Sequence, residues 1–189
     1  MGGAPATGKS SLLETGIVKL PKGILTIDPD KIKGMLPEYN EMVKLKNSFA
    51  ANKVQEESST ISKSIVENAG LKKFDIVNDG VGDGEYEKLV NKVKQQRAFG
   101  KKVVANYVTT DVEESVTRAK ARAEQTGREV PETYIRSMHK EIAKLIPKLA
   151  KNQVFDELRL YNNDVPIGVK PILIFEQIGG RIIVHNKRL

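Results

Sequence analysis

The stretch Gly3-Ala4-Pro5-Ala6-Thr7-Gly8-Lys9-Ser10 constrains this chain more than any other, because it satisfies G-x-x-x-x-G-K-[ST] without a mismatch. Its glycines let the backbone curl until successive N–H groups converge. A chain of phosphates satisfies such donors together, and a helix starting after the loop adds its positive end. Gly3, Ala4, Pro5, Ala6, Thr7, Gly8, Lys9, Ser10 and Ser11 are therefore expected to cradle a nucleoside triphosphate. Lys9 would neutralise β- and γ-phosphate charge and the Ser10 hydroxyl would ligate Mg²⁺. Nothing here chooses between ATP and GTP. The motif should follow a buried strand, yet only Met1 and Gly2 precede it. The expectation is that the first strand of the sheet is missing or truncated.

The remaining pattern alternates strands with helices. Strand character marks Ile24–Ile27, Phe74–Val77, Val103–Val108, Leu158–Tyr161 and Ile172–Phe175, with Arg181–Val184 after a Gly179-Gly180 turn. The first three are short and richly apolar, as strands buried on both faces are. The last two read as a hairpin. Helical spacing runs from about Asn52 to Asn68, from about Glu85 to Phe99, from an Asp111 cap towards Gln125, and from Pro131 until Pro147 kinks or ends it. The predicted fold is α/β: a three-layer α/β/α sandwich of the P-loop NTPase type on a mostly parallel sheet. One domain is expected over residues 1–189, without repeats or low-complexity segments.

Composition narrows the class. There is no cysteine, which excludes disulfides, thiolate metal sites and cysteine nucleophiles. No apolar run is long enough to span a bilayer and no secretory core follows Met1, so a soluble cytoplasmic protein without membrane contact is expected. The 31 Lys and Arg against 24 Asp and Glu give a net charge of +7, which favours anionic partners. Aromatics are only 5% and Trp is absent, so no stacking platform for nucleic acid is visible. His139 and His185 stand alone, which does not suit a zinc site.

Carboxylates recur where strands end, the rim at which open parallel sheets bind ligands. Asp28 and Asp30 follow the first predicted strand; Asp30 can take a proton from a substrate hydroxyl, or either residue can cap the next helix. Asp79 closes the next strand in Asn78-Asp79-Gly80, followed by a Gly80-Val81-Gly82 turn. It reads as a residue near the Mg²⁺ or substrate, or as an ordinary turn. Glu57, early in the long helix, can grip substrate hydroxyls or merely suit the helix dipole. Arg118 and Arg122 share a helix face, and Arg128 lies in the loop before Pro131. Converging guanidiniums stabilise the charge of a phosphoryl group in transfer.

Taken in order, the phosphate loop, Ile27-Asp28-Pro29-Asp30-Lys31-Ile32-Lys33, Gln55-Glu56-Glu57-Ser58-Ser59, Asn78-Asp79-Gly80 and Thr126-Gly127-Arg128-Glu129-Val130-Pro131 resemble the zeta toxin family of P-loop kinases. The resemblance covers nearly the whole chain from Gly2 to Tyr161. It implies an ATP- or GTP-dependent kinase acting on a small hydroxyl-bearing substrate, a UDP-N-acetylated amino sugar in the toxin branch, with an antitoxin as partner. Carried over by position, Lys9 and Ser10 match the nucleotide and Mg²⁺ positions, Asp30 the base, and Arg122 and Arg128 the arginine pair. An offset would put Arg118 in place of Arg122. Asp79 and Glu57 match substrate-side acids, Glu57 only loosely. Gln55 stands where many relatives have histidine, and Asp79 where some have glutamate. Two rivals are a polynucleotide 5′-hydroxyl kinase and a nucleotide-binding regulatory module without turnover.

Overall fold

The computed structural model describes residues 1–45, 47, 49–80, 85–126 and 129–185. Elements follow in the order α1 (Ser11–Glu14), β1 (Leu25–Ile27), α2 (Pro29–Met35), α3 (Pro37–Lys44), α4 (Ala50–Lys53), α5 (Gln55–Leu71) and β2 (Ile76–Asn78). Then come α6 (Tyr86–Ala98), β3 (Val104–Thr109), α7 (Val112–Thr126), α8 (Glu132–Lys151), β4 (Glu157–Asn162), β5 (Ile172–Ile178) and β6 (Arg181–Val184). The alternation expected from the sequence is present, and the fold is α/β with parallel strand pairs.

β1 and β2 pair in parallel, as do β3 and β4, while β5 and β6 add to β4 antiparallel as the expected hairpin. Met1 and Gly2 stand between the two groups. The Met1 amine donates to the Asn78 carbonyl at the end of β2 (2.7 Å), and Gly2 forms a parallel bridge with Tyr107 of β3. Where a buried strand was expected ahead of the loop, these two residues make the connection.

The sheet carries helices on both faces because β3 and β4 alternate. Ala105, Tyr107 and Leu158 face Leu89 and Val93 of α6 and Met138, Ile142 and Leu149 of α8. Val108 and Tyr161 point the other way, onto Leu12 of α1. In α8 the buried positions Ile135, Met138, Ile142, Ile146 and Leu149 recur at helical spacing. Pro147 does not end this helix: its ring is exposed, and Leu149 and Ala150 beyond it are held in the core. Arg136 of α8 pairs with Glu113 of α7 and with Glu132, clamping the two helices.

Three expectations are corrected. β1 and β2 are not buried on both faces: Leu25 is 41% exposed and β2 is half-buried, because each is three residues long and β1 is an edge strand. The single helix expected from Asn52 breaks at Val54 into α4 and α5. The helix after the loop is only four residues long, so its dipole adds little to anion binding. Among the described residues no helix is long and apolar enough to cross a membrane.

Leu158 is fully buried between α6, α8 and the sheet. Leu158→Ala is expected to lower unfolding free energy by about 2–5 kcal/mol in urea denaturation. A loss below about 1 kcal/mol would show that this layer is not tightly packed.

Candidate nucleotide and acceptor site

The loop from Gly3 to Ser10 follows Gly2, which is bridged to β3. Gly2 N–H donates to the Asn106 carbonyl (2.8 Å), and the Gly2 carbonyl accepts from Val108 N–H (2.9 Å). A Cβ at Gly3 would stand 2.5 Å from the Val108 carbonyl oxygen, and one at Gly8 would stand 2.1 Å from Asn163 Nδ2. Both glycines also have positive φ, +143° and +83°, so neither position accepts an L side chain. Ala6 is left-handed as well (φ 61°), a conformation that costs about 1–2 kcal/mol without glycine.

The curl is held from inside and from behind. Thr7 is buried; its hydroxyl donates to the Ala4 carbonyl (3.0 Å) and its own carbonyl accepts from Asn163 Nδ2 (2.9 Å). Lys9 Nζ donates to the carbonyls of Gly3 (3.1 Å) and Ala4 (3.3 Å), folding its amine across the loop. Among the described residues, the Gly8 and Ser10 N–H groups donate to no other atom of the chain. The Ser10 hydroxyl, exposed at the start of α1, makes no capping bond. The loop thus offers unengaged donors, a cation and a free hydroxyl, the inventory a phosphate chain with a divalent ion requires.

The acidic residues gather at the ends of β1 and β2. Asp28 caps α2 by accepting from Asp30 N–H (2.9 Å), so capping falls to Asp28 and the Asp30 carboxylate projects from the first turn. Its Oδ1 lies 3.3 Å from Lys33 Nζ, and the same amine donates to Gln55 Oε1 at the start of α5. Lys33 is buried, so a cation is held inside the structure by these two acceptors. Asp79 N–H donates to the Ile27 carbonyl (2.9 Å), setting Asp79 beside the Asp28 end of β1. Burial pushes the Met1 amine below its ordinary value, with Asp79 pulling it up and Lys9 pushing it further down, so these three charges share one neighbourhood. Val81 and Gly82 lie outside the described residues.

Glu57, at the start of α5, faces Glu38 of α3. A hydrogen bond from Glu38, and then its charge, raise the Glu57 carboxyl above its ordinary value. Arg118 is engaged by Glu114 Oε1 (2.8 Å) and by the Asn163 carbonyl (3.1 Å), so it acts as a strut between α7 and β4. Arg122 follows one turn later on the same helix face, partly buried. Arg128 lies outside the described residues. His139 bonds to buried Ser115, and burial holds it below its ordinary value; His185 bonds to Glu176. Among the described residues no group of three His, Asp or Glu side chains is arranged to hold a metal ion.

The model of the zeta toxin family matches residues 1–168 of this sequence. The chain belongs to the zeta toxin family. It is 25% identical to a toxin zeta of Enterococcus hirae and 24% identical to one of Streptococcus pyogenes, each over 90% of this chain and 60% of the relative. The chain therefore spans about 60% of the length of the curated relatives it matches. Its fold is similar to a structure from the PezAT chromosomal toxin–antitoxin system of Streptococcus pneumoniae, with a TM-score of 0.74 at 15% identity over 93% of this chain and 69% of that one. A structure of AvrRxo1-ORF1:AvrRxo1-ORF2 with ATP gives a TM-score of 0.67 at 18% identity, over 98% of this chain and 59% of that one. These likenesses establish the fold as that of the zeta toxin P-loop kinases.

Sequence reasoning passes over Asn163 and gives no role to Lys33, two residues that this zeta-family site is built on. Asn163 directly follows a strand end, the position that singled out Asp28 and Asp79, but an amide carries no charge to draw notice. Lys33 lies in the Asp28–Lys33 stretch, where spacing alone does not show that its amine turns inward.

The Glu38–Glu57 pair makes a pH prediction. A raised carboxyl value in the fold is a contribution present below the ordinary value of 4.5 and lost as pH rises through the raised one. Glu38→Gln should therefore raise the melting temperature at pH 7–8, with the gain vanishing near pH 4. Equal differences at both ends of a melting series would show that the two carboxyls do not interact.

Proposed function

We propose that this chain is a kinase, a single domain that transfers the γ-phosphate of ATP or GTP to a hydroxyl of a small substrate. The observation that carries the reading is the loop itself: unengaged Gly8 and Ser10 N–H groups beside the Lys9 amine, opening at the same sheet rim as Asp30 and Asp79. In the proposed reaction the Asp30 carboxylate takes the proton of the acceptor hydroxyl as its oxygen attacks the γ-phosphorus. The bond from that phosphorus to the bridging oxygen breaks, and the nucleoside diphosphate leaves with the electron pair. Lys9 neutralises charge on the β- and γ-phosphates, and Arg122 and Arg128 stabilise it on the group in transfer. The free Ser10 hydroxyl suits a Mg²⁺ ligand, and such an ion would supply further neutralisation of phosphate charge.

Family membership supports a UDP-N-acetyl amino sugar as the acceptor, bound on the side of Asp79 and Glu57. It equally supports an antitoxin protein as partner, and a net charge of +7 suits an acidic one. A cytoplasmic location follows from both substrates.

The test incubates the purified protein with Mg²⁺ and γ-labelled ATP or GTP, against UDP-sugars, nucleosides and a 5′-hydroxyl oligonucleotide. Label is expected on a UDP-sugar. Transfer only to the oligonucleotide would replace this reading with a polynucleotide kinase, and nucleotide binding without any transfer would favour a regulatory module. Lys9→Ala should lose both binding and transfer. Asp30→Asn should abolish transfer while nucleotide affinity stays within about threefold, and parallel loss of both would remove Asp30 from the role of base.

A further inference from the structure

Asn163 is buried, at 5% exposure, one of few polar residues so placed among the described residues, and the reaction proposed above gives it no part. Its backbone is fixed from two directions. Its N–H donates to the Thr109 carbonyl at the end of β3 (2.8 Å), and its carbonyl accepts from Arg118 of α7 (3.1 Å). Residue, strand and helix therefore hold the Cα of Asn163 in place, which aims its side chain. That side chain crosses to the phosphate loop and donates from Nδ2 to the Thr7 carbonyl (2.9 Å). The acceptor is a carbonyl, so only the amide nitrogen can face it, and the orientation of the amide is set by chemistry.

The consequence lies on the other side of the same peptide. In a trans peptide the carbonyl and the N–H of the following residue point in opposite directions. Holding the Thr7 oxygen toward Asn163 turns the Gly8 N–H away from β4 and into the loop, where it meets no acceptor among the described residues. Gly8 cannot resist a flip by itself, since glycine populates both signs of φ. Packing against Asn163 is also what denies Gly8 a side chain, the built Cβ standing 2.1 Å from Nδ2. We infer that Asn163 is a positioning residue for phosphate binding: through the Arg118–Asn163–Thr7 chain of hydrogen bonds it fixes the Thr7–Gly8 peptide with its N–H presented to the β- and γ-phosphates. The inference rests on the nucleotide reading of the loop and assigns Arg118 to the same strut.

The experiment titrates ATP and inorganic tripolyphosphate into wild type, Lys9→Ala, Asn163→Ala and Asn163→Asp, with thermal melting of each free protein. Loss of one buried hydrogen bond that orients a charge-binding donor predicts about tenfold weaker ATP binding for Asn163→Ala. Asn163→Asp, which sets a carboxylate against the Thr7 carbonyl, should lose more. Tripolyphosphate should weaken by the same factor as ATP, because the defect is in phosphate capture, while the melting temperature of free Asn163→Ala falls by only about 2–4 °C. Asn163→Ser, which keeps a donor of shorter reach, should recover part of the affinity and decides the matter if the aspartate variant does not fold. ATP affinities of the Asn163 variants within twofold of wild type would overturn the inference, as would an ATP loss that tripolyphosphate does not share. Wild type that binds neither ligand, or Lys9→Ala that binds as wild type does, would instead overturn the nucleotide reading itself.

Discussion

Gly2 bonds to β3 on both sides of Tyr107, and Asn163 reaches from the end of β4 to the Thr7 carbonyl; these few hydrogen bonds carry the phosphate loop. Within the loop the Thr7 hydroxyl and the Lys9 amine add bonds to the Gly3 and Ala4 carbonyls. Its helix is one turn long, Ala6 sits in a left-handed conformation, and Gly3 and Gly8 resist nothing by themselves. Ordering such a segment costs conformational entropy at every residue. Backbone and amide bonds to a rigid sheet end offset that cost. They also settle which way each peptide faces, and a phosphate-binding loop works through the directions of its N–H groups.

The acid side of the site is organised differently. Asp30 is placed by a helix start, with Asp28 capping the helix and Lys33 returning one turn later to meet the carboxylate. Lys33 is buried, and a buried ammonium is stable only when its protons find acceptors. Asp30 and Gln55 supply them, which ties α2 to α5 and keeps a cation beside the carboxylate read as the base. The loop and the acid group meet because β1 and β2 end together, with Asp79 bonded to Ile27 and the Met1 amine bonded to Asn78. One rim therefore gathers the donors for an anion and the acceptors for a hydroxyl.

Membership of the zeta toxin family sets this arrangement in context, since about 60% of the length of the curated relatives corresponds to this chain. The matched residues 1–168 span the phosphate loop, the Asp28–Lys33 stretch and both arginine-bearing segments. Arg118 is engaged by Glu114 and by the Asn163 carbonyl, which helical spacing alone does not show.

Much of this was legible in the residues themselves. Local spacing determined the phosphate loop, the alternation of strands and helices, the Asp111 cap and the C-terminal hairpin, because turn chemistry and periodicity act over a few residues. Distance in the chain hid the rest. Pro147 signals a helix end, yet burial of Leu149 and Ala150 carries α8 past it. The apolar run at β1 suggests a buried strand, yet an edge position leaves Leu25 exposed. The sequence alone determined the Gly3–Ser10 loop and the carboxylates that follow β1 and β2, the groups proposed as phosphate ligands and base. Only the tertiary structure decided that Asn163, far from Thr7 in the chain, would hold the loop's peptide and that Lys33 would turn inward to Asp30. Such contacts depend on how strands and helices stack, and no local pattern records a partner that packing brings from elsewhere.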